Sequence, residues 1–140
     1  MSHPKFPLGV DLMDDDHTRI EEMLARSEGL ADAELPGHLA ACRAEIAEHF
    51  AREEALLRDH AVPVLACHIA QHNRLVADID ATIAATGGNI PSLRAYLAHD
   101  LPNLIMSHIA SVDQISARFL AGELPAEIVA NLRLPEETAP

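Results

Sequence analysis

The chain has 140 residues, which is enough for one domain and too short for two ordinary ones. About half of the residues are hydrophobic (49%), but with three Phe, one Tyr and no Trp the core must be mainly aliphatic. Ten basic residues against 22 acidic ones give a net charge of −12, which argues against nucleic acid and anionic membrane surfaces as partners.

Proline and glycine divide the chain into four long segments, and each segment carries apolar residues at the i, i+3, i+4, i+7 spacing of a helix. Nothing of useful length alternates with the period of a strand. The segments cover about residues 14–29, 37–60, 63–86 and 97–119. Four helices of similar length with short connections predict an all-α fold, an antiparallel up-down four-helix bundle with a short C-terminal extension.

Local signals predict where two of these helices begin and end. Pro63 is suited to the first turn of the third helix, and Gly87-Gly88 ends that helix. Pro102 interrupts the fourth segment, which predicts either a kink or a fresh helix start capped by Asp100.

The chain divides into a bundle and a short C-terminal extension. We assign residues 1–122 to the bundle and residues 123–140 to a C-terminal extension, for which we expect a short helix and a flexible tail.

No uncharged run reaches the roughly 20 residues that span a bilayer, and the N-terminus lacks a secretory-signal pattern. Cys42 and Cys67 form no CxxC pair, so we expect two reduced thiols in a cytoplasmic protein that does not enter a membrane.

Ionisable residues occupy helix positions that should face the bundle interior. These positions are His17, His49, Glu53, His68, His72 and His108. A buried imidazole or carboxylate is costly unless it is paired or coordinated. Each one alone is compatible with an ordinary surface or core residue, but at least one on each of four helices favours a shared metal centre.

The spacing of these residues supports a common site. His49 and Glu53 are four residues apart, as are His68 and His72, so each pair stacks on one helix face. Asp113 lies five residues after the histidine of the fourth helix, about 140° further round. We expect it at the edge of the apolar stripe, from which a bridging carboxylate could still reach inward.

Glu54 and the four remaining histidines are expected to be solvated. Glu54 points off the stripe of its helix, and the run Asp14-Asp15-Asp16 suits a helix N-terminus, where carboxylates interact favourably with the helix dipole. Four histidines lie in the N-terminal tail, at segment ends or off the stripe: His3, His38, His60 and His99.

The ligand types indicate which metal would bind. Five imidazoles and two carboxylates are too many for one tetrahedral zinc ion. They suit two ions of intermediate hardness, and iron is the natural choice for mixed imidazole and carboxylate ligands. A ferritin-like di-iron site is disfavoured, because it requires ExxH motifs and no histidine here has Glu three residues before it.

The motifs resemble those of the hemerythrin family, in order and spacing, over about residues 8–120. The segment GVDLMDDDH (9–17) is similar to the family's start of its first helix, and HFAREE (49–54) is similar to its HFxxEE motif. In the same way PVLACHIAQH (63–72) resembles its Pro followed by HxxxH, and HIASVD (108–113) resembles its HxxxxD.

The resemblance implies a centre of two iron ions, with three histidines on one ion, two on the other, and two bridging carboxylates beside an oxo or hydroxo bridge. By this resemblance the first ion would be held by His68, His72 and His108, the second by His17 and His49, and the bridges would be Glu53 and Asp113. The iron with two histidines would keep an open position for dioxygen.

The leading interpretation is therefore a binding protein rather than an enzyme, a non-haem di-iron protein that reversibly binds dioxygen for storage, delivery or sensing. One alternative is a di-iron enzyme that reduces peroxide or nitric oxide with the same ligands. Another is a redox or nitric-oxide sensor that acts through a protein partner.

Overall fold

The computed structural model describes residues 4–124, which form helices and their connections and contain no strand. Three helices are uninterrupted: α1 (Asp11–Ala25), α2 (Leu35–Asp59) and α3 (Leu65–Thr86). The fourth helical run, residues 90–120, consists of α4 (Ile90–Ala95), α5 (Leu101–His108) and α6 (Gln114–Leu120). The predicted antiparallel four-helix bundle is confirmed. The C-terminal extension is predicted for residues 123–140, of which 125–140 lie outside the described residues, as does the histidine at position 3.

The ends of α3 follow from proline and glycine chemistry. The helix begins at Leu65, two residues after Pro63, so the proline precedes the first turn instead of occupying it. It ends as predicted at Gly87, whose φ of +53° is in the left-handed region that glycine adopts without a Cβ clash. The side chain of Asn89 then caps α4 by accepting a hydrogen bond from the Ser92 N–H at 3.1 Å.

Two π-helical turns keep the fourth run continuous. The first, Tyr96–Asp100, leads directly into α5, and Pro102 lies in the first turn of that helix. The predicted cap by Asp100 is wrong, because this residue continues the helix with α-helical dihedral angles and its side chain makes no capping hydrogen bond. The second π-turn, Ile109–Asp113, joins α5 to α6.

The core consists of two apolar clusters with a polar layer between them. The larger cluster takes residues from all four runs, including Ile20, Ile46, Ile79 and Leu101. The smaller cluster lies nearer the α2–α3 connection and is formed by Met13, Leu57, Val62, Val64, Val112 and Ala117. Along each run the ionisable positions fall between residues of the two clusters, so apolar packing closes the polar layer at both ends.

The apolar stripes of α1 and α2 are buried as predicted, whereas the stripes of the other two runs include partly buried residues and two exposed ones. Ile83 is 39% exposed and Leu104 is 37% exposed. Ile83 lies in the last turn of α3, beyond Ile79, which is the last buried residue of that helix. Leu104 lies beside the buried face of α5. Among the described helices, none is both long and apolar enough to cross a membrane.

The two isoleucines of α3 provide a test of this packing. Ile79→Ala should lower the free energy of unfolding by about 2–5 kcal/mol, because Ile79 is fully buried and its truncation leaves a cavity. Ile83→Ala removes the same atoms at a partly exposed site and should cost about 0.5 kcal/mol. Urea denaturation of both variants measures the difference, and equal losses would contradict the burial described here.

Candidate metal centre

The polar layer brings together all seven residues that the sequence singled out, and each is at most 4% exposed. Their side-chain atoms form two groups, within each of which the ligand atoms lie no more than 4.8 Å apart. One group contains Glu53, His68, His72, His108 and Asp113, and the other contains His17, His49, Glu53 and Asp113. The two groups therefore share both carboxylates and divide the five histidines.

Glu53 faces both histidine sets, with one oxygen towards each. Its Oε1 lies 2.8 Å from Nε2 of His68 and 3.1 Å from Nε2 of His72. Its Oε2 lies 3.2 Å from Nε2 of His49 and 3.9 Å from Nε2 of His17. The carboxylate thus stands between the two sets.

Asp113 repeats this arrangement from the fourth helical run. Its Oδ1 lies 2.9 Å from Nε2 of His68 and 3.0 Å from Nε2 of His108. Its Oδ2 lies 3.1 Å from Nε2 of His17. Each carboxylate therefore presents one oxygen to the three-histidine set and the other to the two-histidine set.

The second π-turn explains how Asp113 reaches the centre. In an α-helix a residue five positions after His108 would be rotated about 140° away from it, which is why the sequence predicts Asp113 at the edge of the stripe. The π-turn Ile109–Asp113 accommodates one more residue per turn, so the fifth residue returns to the face of His108. The edge position is therefore wrong, and Asp113 is completely buried.

The outer nitrogens of four histidines have hydrogen-bond partners. Each Nδ1–H donates to an oxygen of a neighbouring residue: His49 to Asp16 at 2.9 Å, His68 to Ser116 at 2.9 Å, His72 to Glu54 at 2.8 Å, and His108 to Gln71. A histidine that donates through Nδ1 has the Nε2 lone pair free for a metal ion. The outer partners therefore aim these four rings at the centre.

Two of these partners have roles that the sequence did not predict, since Glu54 was expected to be solvated and Asp16 was expected only to interact with the helix dipole. Each lies one residue, and so about 100°, off the inward stripe of its helix, where the side chain reaches a histidine of the adjacent helix. Gln71 and Ser116 were not singled out at all. Their signal in the sequence is weak, since Gln71 only precedes a stripe histidine and Ser116 follows Asp113 by one turn.

The other described histidines differ in their exposure to solvent. His38 is half-buried, and its Nε2 lies 2.7 Å from the carbonyl oxygen of Met23, so it links α2 to α1 and the expectation of a solvated ring is wrong. His60 and His99 are exposed as predicted. Asp14 lies in the first turn of α1 as predicted, and its carboxylate accepts the N–H groups of residues 8 and 9.

The electrostatic balance of the centre depends on pairing between imidazoles and carboxylates. Burial and the charge of Asp113 would raise the pKa of Glu53, but the imidazoles of His49, His68 and His72 beside its two oxygens lower this pKa to about 2. Burial would lower the pKa of His49 and of His68, but the adjacent carboxylates raise each to about 9. Protons and metal cations therefore compete for the same Nε2 atoms.

Several buried polar atoms at the centre make no hydrogen bond within the described part of the chain. They are Nδ1 and Nε2 of His17, Oε2 of Glu53, Nε2 of His108 and Oδ2 of Asp113. Unpaired buried polar atoms are costly, and four of these five face the centre, where metal coordination would satisfy them. Imidazole and carboxylate donors in this number fit transition-metal ions.

Phe50 forms an aromatic wall against the histidine cluster. Its ring stacks on His72, with 3.8 Å between the ring centroids and an interplanar angle of 3°. It also lies against His49 and His108, with centroid distances of 5.6 and 5.8 Å. Phe50 therefore contacts rings of both histidine sets and shields them on one side.

Comparison with known proteins identifies one family. The model of the hemerythrin HHE cation binding domain matches residues 8–120, which is most of the chain and includes the whole histidine and carboxylate cluster. No curated protein and no solved structure matches the chain.

The hydrogen bond from His72 to Glu54 gives a test of the outer partners. Glu54→Ala should weaken metal binding about 10–100-fold, because the His72 ring loses the acceptor that orients it. Asp59→Ala is the matched control on the same helix, since Asp59 is exposed and outside the cluster. Competition with a chelator measures both affinities, and equal values for the two variants would show that Glu54 does not act on the centre.

Proposed function

The chain belongs to the hemerythrin HHE cation-binding domain family, and we propose that it holds two iron ions and reversibly binds dioxygen. In this proposal the first ion takes three histidines, the second takes two, and the two carboxylates bridge the ions. The ligands are His68, His72 and His108 for the first ion, His17 and His49 for the second, and Glu53 and Asp113 as bridges.

One observation carries this proposal: each carboxylate divides its two oxygens between the histidine sets. A carboxylate that served a single ion would have no reason to face both sets. The shared carboxylates therefore support two ions a short distance apart, and seven ligands exceed what one tetrahedral ion uses.

The ligand types and the apolar surroundings support iron and a gaseous ligand. Iron ions bound here would supply reversible redox chemistry and a coordination position for a small molecule. The set formed by His17 and His49 has one histidine fewer than the other, so the open position is expected on that side. The two apolar clusters and Phe50 keep bulk water, and hence protons, away from the centre.

Metal analysis and optical spectroscopy test the proposal together. Protein produced with adequate iron should contain two irons per chain, and its anaerobically reduced form should change spectrum in air and return on deoxygenation. One zinc per chain, with no iron bound after reconstitution, would refute the di-iron assignment. Repeated turnover of peroxide or nitric oxide without reversible oxygenation would identify an enzyme instead.

A second prediction concerns protection of the centre from water. Ile105 is 5% exposed and lies one helical turn before His108, so Ile105→Ala should admit water and speed autoxidation of the oxygenated protein. Iron content should stay near two per chain, because no ligand is lost.

Ile79→Ala is the matched control, because Ile79 belongs to the same apolar cluster but lies about two turns beyond His72. Both variants should lose about 2–5 kcal/mol of stability. Equal autoxidation rates, after allowance for the lost stability, would contradict the role assigned to Ile105.

A further inference from the structure

Asp16 is held by three hydrogen bonds at the edge of the metal centre. Its side chain is 6% exposed, and its Oδ2 accepts from Nδ1 of His49 at 2.9 Å and from Nε of Arg52 at 3.0 Å. Its Oδ1 accepts from Nη1 of Arg19 at 2.9 Å. One carboxylate from α1 therefore binds both a centre histidine and two guanidinium groups.

Glu45 closes this network from the side away from the centre. Its Oε1 accepts from Nη1 of Arg19 at 2.8 Å and from Nη2 of Arg52 at 3.2 Å. The two arginine side chains are 50% and 39% exposed. We call Asp16, Arg19, Glu45 and Arg52 the arginine clamp, and it extends from solvent to the ring of His49.

The outer partners of the other centre histidines differ from Asp16 in charge or in exposure to solvent. Ser116 and Gln71 are neutral acceptors for the rings of His68 and His108, and Glu54, the acceptor for His72, is 21% exposed. The Nδ1 of His17 has no partner among the described residues. In the two-histidine set, therefore, only the ring of His49 is oriented by a hydrogen bond to its outer nitrogen among the described residues.

We propose that Asp16, held by Arg19 and Arg52, is a positioning residue that fixes the His49 ring and sets the reduction potential of the ion bound by His17 and His49. The inference rests on the di-iron function proposed above. A carboxylate that accepts from the outer nitrogen of a ligand histidine makes that ligand more basic, which favours the oxidised ion. The two guanidinium groups offset this effect, because their positive charges lie within hydrogen-bond distance of the carboxylate.

Substitutions in the arginine clamp should therefore shift the potential in opposite directions. Asp16→Asn keeps an acceptor oxygen for His49 but removes a negative charge, so the potential should rise. Arg52→Gln removes a positive charge, so the potential should fall. Arg52→Lys keeps the charge and should restore a value close to that of the wild type.

Arg43→Gln is the control for a general charge effect. Arg43 lies on the same helix nine residues before Arg52, about 14 Å away along the axis, and pairs with Asp80 through two hydrogen bonds of 3.0 and 3.1 Å. Its loss changes the net charge as Arg52→Gln does, but Arg43 pairs with Asp80 and not with Asp16, so the potentials should stay at their wild-type values.

Spectroelectrochemical titration of the iron-loaded full chain tests the inference. Opposite shifts for Asp16→Asn and Arg52→Gln, unequal for the two one-electron steps, would support it. Asp16→Ala should also weaken iron binding about 10–100-fold against a chelator, because the acceptor itself is lost. Shifts of the same sign, or no larger than for Arg43→Gln, would overturn the inference.

The same measurements separate this inference from the proposed function. A wild-type protein with fewer than two irons refutes the di-iron proposal. A two-iron wild type whose clamp variants keep its potentials refutes the role of Asp16 alone. If Asp16→Asn fails to fold, Arg52→Gln and Arg52→Lys decide the matter, because the Arg52 side chain is 39% exposed and its replacement should leave no cavity in the core.

Discussion

The attraction between imidazoles and carboxylates in a buried bundle centre is the interaction on which the rest of this structure depends. Glu53 and Asp113 are fully buried, and each faces at least three Nε2 atoms. Removing one member would leave the others charged and unpaired, which is strongly destabilising in a protein interior. The four helical runs must therefore keep a common register, and the apolar clusters on either side hold them in it.

The centre is asymmetric in both composition and support. One side has three histidines whose rings are fixed by Ser116, Glu54 and Gln71. The other has two histidines, of which only His49 has an outer partner among the described residues. The bundle thus presents two unlike environments to the groups it binds. The difference in ligand number arises from the inward stripes, and the difference in support arises from residues beside them.

The sequence predicts the parts of this arrangement that follow the regular α-helical period. The pairs His49–Glu53 and His68–His72 could be placed on inward faces because four residues make about one turn. The burial of Asp113 could not, since nothing in the residues around it identifies a π-turn. Asp16 was missed for a different reason: whether a residue off the stripe meets solvent or a neighbouring helix depends on how the helices are rotated against each other.

The centre joins side chains from residue 17 to residue 113, so its ligands meet only in a folded chain. A metal that binds this folded form alone would stabilise it by about 2.7 kcal/mol when free metal is at 100 times the dissociation constant. This energy corresponds to an unfolded fraction about one hundred times smaller, and proteases act on the unfolded fraction. Cellular metal supply would thereby control the lifetime of the protein as well as the state of its centre.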